Sequence, residues 1–377
     1  MIIKLKEFKE VADKILLAAG LDENAANVEL RAKDHTLYLA ITNREYYCCV
    51  KFPIESDEEF RAVVDASLFL SLIAGLTTET FELEIKDNNV LIKSGKSNYK
   101  LAMIYENDQL MNIPVISIRN KTVEMPISND ILMSILNVNS KELLKTKWLV
   151  DVSELQKLYY IDETGCFTFT VGACMNSFSL EKPVKILLND RIVKLFKLFK
   201  TDVQFSLGHD EIMEGVEETK VTFETDDIYV AAKINCEDAL LNKVRGPYEA
   251  TKRFLSEKYN FAAVVSVPAL SAAINRLMLF AKNSVDKANM GFVPVKAIIT
   301  PDSITLMDKF ENSEDIVVEN GSNISESYEF GINLTDVKLI LDSCKAEHIT
   351  LNYGNHKFVN FVRGNISNLI PEAKKTN

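Results

Sequence analysis

One unit recurs three times along this chain of 377 residues: an amphipathic helix, then two strands, joined by polar turns. The first copy has a helix over Asp65 to Leu76, then strands over Phe81 to Lys93 and Tyr99 to Ile104. The second has Asn189 to Phe199, Val203 to Leu207 and Lys220 to Glu224; the third has Asn333 to Cys344, Ile349 to Tyr353 and Phe358 to Val362. Copies spaced by roughly 120 to 145 residues are far longer than a solenoid repeat. Each matches the size of an independently folding domain. The chain is therefore expected to hold three similar domains in a row, residues 1-120, 121-256 and 257-377.

Local patterning fills in each domain. Phe8, Val11, Ala12, Ile15 and Leu16 fall at helical spacing between Lys4 and Ala19, and Gly20 ends the run. Asn27 to Ala32, Leu37 to Ile41 and Tyr46 to Phe52 alternate with a period of two, the mark of half-buried antiparallel strands. Lys33 to Thr36 and Asp87 to Asn89 supply turn residues. A second copy opens with a strand at Val123 to Ile127 and a helix capped by Ser128 that runs to about Val138. A third opens at Phe261 to Pro268, with a helix over Ala269 to Lys282. Proline suits a helix start, where no amide donor is needed. The charged run Glu249 to Lys258 reads as a linker. Each domain would hold two helices and about eight strands with no βαβ alternation, which is an α+β architecture of helices on antiparallel sheet.

Apolar and charged fractions of 47% and 26% are ordinary for a globular protein. The longest apolar runs, such as Phe261 to Val267, are far short of a membrane span. Met1 to Lys6 interleaves charges with apolar residues and is not expected to be a signal peptide. The six cysteines show no metal-ligand spacing, so reduced thiols in a cytoplasmic protein are expected. A net charge of −11 argues against tight non-specific DNA binding unless basic residues segregate on one surface. The helix Asn189 to Lys200 is such a place. Ile192, Leu195, Phe196 and Phe199 share one face, Arg191, Lys194, Lys197 and Lys200 spread across the other, and no acid follows Asp190 within it. By itself this is either a solvated basic face or one that meets phosphates.

No catalytic signature is present: no Gly-x-Ser-x-Gly, Walker loop, His-Glu-x-x-His or dinucleotide fingerprint. His35, His209, His348 and His356 are scattered, and Cys166 has no paired base in the sequence. Asp162-Glu163 and Asp226-Asp227 are adjacent carboxylates, which on a strand point to opposite faces. The expectation is a protein without catalysis, cofactor or metal.

The stretch Asn88 to Leu101, with its Lys93-Ser-Gly-Lys-Ser97 turn, resembles the first domain of bacterial DNA polymerase sliding clamps, the beta subunit of the replicative polymerase. Val64 to Ile85, Val244-Arg-Gly-Pro-Tyr248, Phe330 to Thr335 and Ile366-Ser-Asn-Leu-Ile-Pro371 are similar to further stretches of that family, in the same order over nearly the whole chain. The resemblance implies the DNA-clamp fold and a head-to-tail ring dimer that encircles duplex DNA without reading its sequence. It implies that the ring tethers a polymerase and is opened by an ATP-driven clamp loader. Arg191, Lys194, Lys197 and Lys200 would then face DNA. Tyr99 and Leu101 would meet Leu279 and Phe280 of the other protomer, although core packing is an alternative for all four. A cleft for short partner peptides would involve Gly165, Phe167, Thr168, Pro247, Asn333, Leu369, Ile370 and Pro371.

The chain departs from the family at three places. Phe167 and Thr168 replace the usual Arg and Leu, and the tail runs on past Pro371. The loop Gly20-Leu-Asp-Glu-Asn24 is acidic where the family has a DNA-touching arginine, so no DNA contact is carried onto it. Such divergence would suit a phage-borne or mobile-element clamp. Other readings are a scaffold of clamp fold that no longer loads on DNA, an α+β enzyme whose site is not visible, and the trimeric two-domain clamp, against which three domains per chain speak.

Overall fold

The computed structural model describes residues 1–138, 158–168, 174–234, 238–281, 293–342, 344–355 and 357–372. The chain begins with β1 (Ile2–Lys4), α1 (Leu5–Ala19) and the meander β2 (Asn27–Lys33), β3 (Thr36–Thr42) and β4 (Tyr46–Pro53). The same order returns as β5 (Phe60–Asp65), α2 (Ala66–Gly75), β6 (Thr80–Lys86), β7 (Asn89–Ser94) and β8 (Ser97–Ala102). A small hairpin, β9 (Tyr105–Glu106) and β10 (Gln109–Leu110), comes after it. Next stand β11 (Lys121–Ile127), α3 (Asn129–Val138), β12 (Leu158–Asp162), β13 (Gly165–Thr168) and β14 (Cys174–Ser177). After β15 (Lys185–Asn189) come α4 (Asp190–Lys194), a 3-10 turn (Leu195–Leu198), β16 (Val203–Met213), β17 (Val216–Glu224) and β18 (Ile228–Ile234). Helix α5 (Asp238–Leu255) precedes β19 (Phe261–Ser266), α6 (Val267–Ala281), β20 (Pro294–Ile299), β21 (Ser303–Met307) and β22 (Ser313–Val317). The last unit is β23 (Tyr328–Asn333), α7 (Leu334–Asp342), β24 (His348–Tyr353), β25 (Phe358–Arg363) and β26 (Ile366–Pro371).

Among the described residues the strand–helix–three-strand unit thus occurs six times, not three. The units pair by exchange: the strand before one helix joins the meander of the other unit. β1 pairs with β6 and β5 with β2; β11 with β16 and β15 with β12; β19 with β24 and β23 with β20. Every one of these pairings is antiparallel, as the alternating patterns require.

The chain forms two compact units, residues 1–127 with 191–235 and residues 128–190 with 236–377. In the first, an eight-stranded sheet runs β11-β16-β17-β18-β4-β3-β2-β5 beside the four-stranded sheet β1-β6-β7-β8. Its α1 buries Leu5, Phe8, Val11, Ala12, Ile15 and Ala18 along one stripe. Phe8 meets Phe52 and Phe81 edge-on, with ring centroids 5.3 Å away in each case. Asp65 caps α2 by accepting a hydrogen bond from the Leu68 amide at 2.7 Å. Asp34 and His35, and likewise Asp87 and Asn88, have positive φ at both turn positions, the geometry of tight hairpins that match strand twist. In the second unit an eight-stranded sheet runs β15-β12-β13-β14-β26-β25-β24-β19, beside the four-stranded sheet β22-β21-β20-β23.

Three sequence expectations change. The charged run from Glu249 is not a linker, because α5 continues to Leu255 with Tyr248 buried beneath it. The charges are the outer side of an amphipathic helix. The helix expected over Ala269 to Lys282 starts earlier, at Val267, while Lys282 lies outside the described residues. The helix expected over Asn189 to Lys200 is one α-turn followed by a 3-10 turn.

A connecting segment in the first unit fixes one glycine. Ile113 and Ile116 are buried against Ala40, Tyr47, Cys49, Val63 and Ala231, and the Tyr229 hydroxyl donates to the Ile116 carbonyl at 3.0 Å. Asp210 accepts from the Arg119 and Asn120 amides, both at 3.0 Å, and from Lys220 at 2.9 Å. The segment crosses so close to β16 that a Cβ on Gly208 would sit 2.2 Å from Ile118 Cγ2 and 2.4 Å from the Asn120 carbonyl oxygen. Gly208→Ala is expected to destabilise the fold by about 1–3 kcal/mol, the usual cost of overpacking a tight contact. Urea unfolding checks this, and an unchanged midpoint would show that the segment does not hold this position.

Candidate nucleic-acid face, open sheet edges and partner cleft

From Arg191 to Lys200 exposure repeats every third residue. Arg191, Lys194, Lys197 and Lys200 are exposed, and each intervening pair is buried. The buried set adds Val193 and Leu198 to the four residues read from the sequence, and Phe196 packs edge-on against Phe223 at 4.9 Å. The 3-10 turn explains the period. Residues three apart eclipse in that geometry, whereas an α-helix would rotate them by about 60°. The basic residues therefore form a row, not the spread face expected of a regular helix.

The first member of the row is engaged. Arg191 Nη1 lies 2.8 Å from Asp22 Oδ2 and 3.2 Å from Glu45 Oε2. Asp22 belongs to the acidic loop after α1. Its carboxyl is held below the usual range by the Asn24 amide first, then by the Asn43 side chain and the Arg191 charge. With Glu23 and Asp65 it lines an open pocket of about 290 Å³ between the end of α1 and the start of α2. On α1, Lys9 donates to the Ala74 and Leu76 carbonyls, both at 2.8 Å, and Lys14 pairs with Asp227 at 2.9 Å. Much of the positive charge of this unit is thus already balanced.

The strands that end each meander are β4, β8, β14, β18, β22 and β26. Four of them pair with each other: β18 with β4, and β14 with β26. Among the described residues, β8 and β22 end their sheets with no further strand beside them. Tyr99 on β8 is exposed, whereas Leu101 is only 4% exposed and packs into its own core. Leu279 and Phe280, at 67% and 54% exposure, stand on α6, which packs against β22. Phe310 and Val317, flanking and ending β22, are exposed as well. Arg276 ties α6 to β22 through two hydrogen bonds to Glu314, at 2.7 and 2.6 Å.

The cleft residues all fall in the second unit. Gly165 starts β13 opposite Asp162 and Ser177. Phe167 and Thr168 come next on the same strand and Pro247 lies in α5, but their side chains lie outside the described residues. Leu369 and Ile370 are buried and Pro371 is half-buried. Asn333 is buried too: its Oδ1 accepts from the Val293 amide at 2.8 Å, and its Nδ2 donates to Asp336 at 2.8 Å at the start of α7. Reading from the sequence missed the aromatic group beneath this place. Tyr160, Leu187, Tyr248 and Leu369 form a cluster joined by Leu158, Leu241, Phe254 and Phe358. The signal was the apolar stripe of α5 at Leu241, Tyr248 and Leu255, obscured by reading its second half as linker.

Residues 6–114 match the family model of the DNA polymerase III beta subunit, N-terminal domain. A beta sliding clamp of Helicobacter pylori (strain ATCC 700392 / 26695) is 26% identical over 181 residues, 46% of this chain and 48% of that protein. The aligned stretch spans about half the length of that curated relative. Among solved structures, the beta subunit of DNA polymerase III from Borrelia burgdorferi superposes with a TM-score of 0.70 at 13% identity, covering 100% of this chain and 99% of that one. The Helicobacter pylori beta clamp bound to a DNA ligase peptide gives 0.66 at 16% identity, with 99% of both chains covered. Fold and paired half-repeats define the class, a DNA-clamp fold over the full chain. Residues 6–114 carry the sequence pattern of that family's N-terminal domain, and the chain is similar to beta sliding clamps beyond it. Among the described residues no helix is long and apolar enough to cross a membrane.

Tyr248 anchors α5 to the underlying sheet. Its hydroxyl donates to Asp162 Oδ1 at 2.6 Å and lies 2.7 Å from Thr164 Oγ1, which accepts from Lys252 at 2.8 Å. Burial, then the Asp162 hydrogen bond, pushes the phenol well above its ordinary range. Tyr248→Phe leaves a buried carboxylate short of a donor and should cost about 1–3 kcal/mol. Thermal or urea unfolding reads this cost, and a variant as stable as the parent would show that the anchor contributes nothing.

Proposed function

We propose that this chain is a processivity clamp: two copies close head to tail into a ring around duplex DNA and tether a replicative polymerase. The observation that carries this reading is the pair of open meander edges. Among the described residues the strands that end the six meanders pair with one another except at β8 and β22, one in each compact unit. A heterologous contact between two such edges closes into a ring when the rotation permits. Pairing across it covers backbone groups that would otherwise invite aggregation. Three clamp domains, divided near residues 120 and 256, give each ring six of them. Tyr99 contributes from one edge, and Leu279 and Phe280 from beside the other.

The ring acts mechanically. It carries no chemistry of its own and raises the local concentration of its partner at the primer end. Low, uniform affinity suits sliding, because a topological link and not phosphate contact holds the protein on DNA. Lys194, Lys197 and Lys200 supply the basic row that meets phosphates. The partner peptide seats over β13, α5 and the end of β26, near Gly165, Phe167, Thr168, Pro247 and Pro371, where an apolar floor suits hydrophobic anchors. Asn333, Leu369 and Ile370 hold that floor in place. A cytoplasmic setting and a clamp loader that supplies ATP-driven opening belong to the same reading.

The test is retention on a nicked circular plasmid after loading by a clamp loader and ATP. The parent protein should stay with the circle through gel filtration in high salt and leave when the circle is cut. Leu279→Asp with Phe280→Asp should give monomers in sedimentation and lose retention. Equal retention on cut and uncut DNA would contradict encirclement, and no retention on either would favour a clamp-fold scaffold that does not load.

A further inference from the structure

The basic row has an unequal end. Arg191, at the first position of the exposed row, is gripped by two carboxylates from separate loops. The grip is prebuilt. Asp22 Oδ1 accepts from the Asn24 amide at 2.9 Å and from Asn24 Nδ2 at 3.0 Å, and Oδ2 accepts from Asn43 Nδ2 at 3.0 Å. Asn43 Oδ1 in turn accepts from the Glu45 and Tyr46 amides, at 2.9 and 2.8 Å. The loop after α1 and the β3–β4 turn are therefore braced together, and both aim a carboxylate at the same guanidinium. The Asp22 side chain is only 5% exposed, whereas Arg191 is 48% exposed and has room to swing.

We infer that Asp22 and Glu45 are positioning residues that withhold Arg191 from DNA and so limit the electrostatic grip of the basic row. This rests on the encirclement reading. A phosphate beyond the Debye length of about 8 Å at physiological salt sees little of any single charge. One that approaches this end of the row meets a group of two carboxylates and one guanidinium, whose sum is negative. The row then presents lysines at one end and a repulsive stop at the other. Arg191 can reach a phosphate only by leaving both carboxylates, so it adds no contact while they are charged. Such a device keeps sliding affinity low without removing the arginine that packs the two loops onto α4.

The experiment measures binding of a short blunt duplex to the full-length protein by fluorescence anisotropy over a range of NaCl concentrations. Each phosphate contact made by a cation steepens the logarithmic salt dependence by about 0.9. Arg191→Ala should leave the slope of the parent unchanged. Asp22→Asn with Glu45→Gln should steepen it by about one contact and tighten binding several-fold. Adding Arg191→Ala to that pair should return the slope to the parent value. Glu45→Gln alone keeps every hydrogen bond of Asp22 and should give a smaller gain that also requires Arg191, so the test stands even if the Asp22 variant does not fold. A flatter slope for Arg191→Ala alone would overturn the inference, because Arg191 would already touch phosphate. An equal gain with and without Arg191 would overturn it as well, because removal of negative charge alone would suffice. Competition separates the underlying reading. A covalently closed plasmid cannot thread a closed ring, so if it displaces the duplex at equal nucleotide concentration, encirclement fails and the inference fails with it.

Discussion

An extended strand at the end of a meander leaves a row of amides and carbonyls without partners, and burying or covering that row governs how these repeats combine. Each repeat ends on such a strand. β4 finds β18 and β14 finds β26, with registers that include Val50 opposite Ile228 and Leu369 opposite Met175. The exchange of leading strands, β1 onto β6 and β5 onto β2 and so on, ties the repeats together two by two. Joined meander edges then extend the sheets across successive pairs. β8 and β22 remain, and the exposed apolar side chains Tyr99, Leu279, Phe280 and Val317 stand on or beside them. The same rule that builds the chain internally leaves two meander ends, β8 and β22, without a strand beside them among the described residues.

Charge obeys a different logic. The chain is acidic overall, at −11, and a basic surface must be assembled locally against that background. The 3-10 turn after α4 sets basic residues at intervals of three and buries everything between them. Elsewhere in the same unit, cations serve structure: Lys9 on the end carbonyls of α2, Lys14 on Asp227, and Lys220 between Asp210 and Glu218. A favourable charge near a helix C-terminus or a paired carboxylate stabilises the fold and is lost to any ligand. Arg191, Lys194, Lys197 and Lys200 form a short exposed row in this acidic chain.

Much of this was legible in the sequence, for identifiable reasons. Repeats with an apolar-rich helix followed by a regular hairpin stood out: α2 with β6 and β7, and α7 with β24 and β25. Turns at Asp34-His35 and Asp87-Asn88 read correctly because few residues tolerate positive φ. The helices α1, α3 and α6 were read as elements but not as further copies of the repeat, since they and the segments that connect them to their meanders differ in length. The length of α5 was missed because a charged helical face and a solvated linker look alike until Tyr248 is seen packing against Tyr160. The residues from Arg191 to Lys200 were placed on an α-helical wheel, which spreads them over about 180°, because residue types alone do not distinguish an α-turn from a 3-10 turn. The Asp22–Arg191 pair was beyond reach, because it joins residues far apart in the chain.

The account depends most on the claim that β8 and β22 close onto another copy. Electron microscopy of the purified protein at micromolar concentration tests this directly. It should show closed rings of six similar lobes around a central hole that admits duplex DNA. Compact particles without a hole, at a concentration where sedimentation finds the protein dimeric, would contradict it.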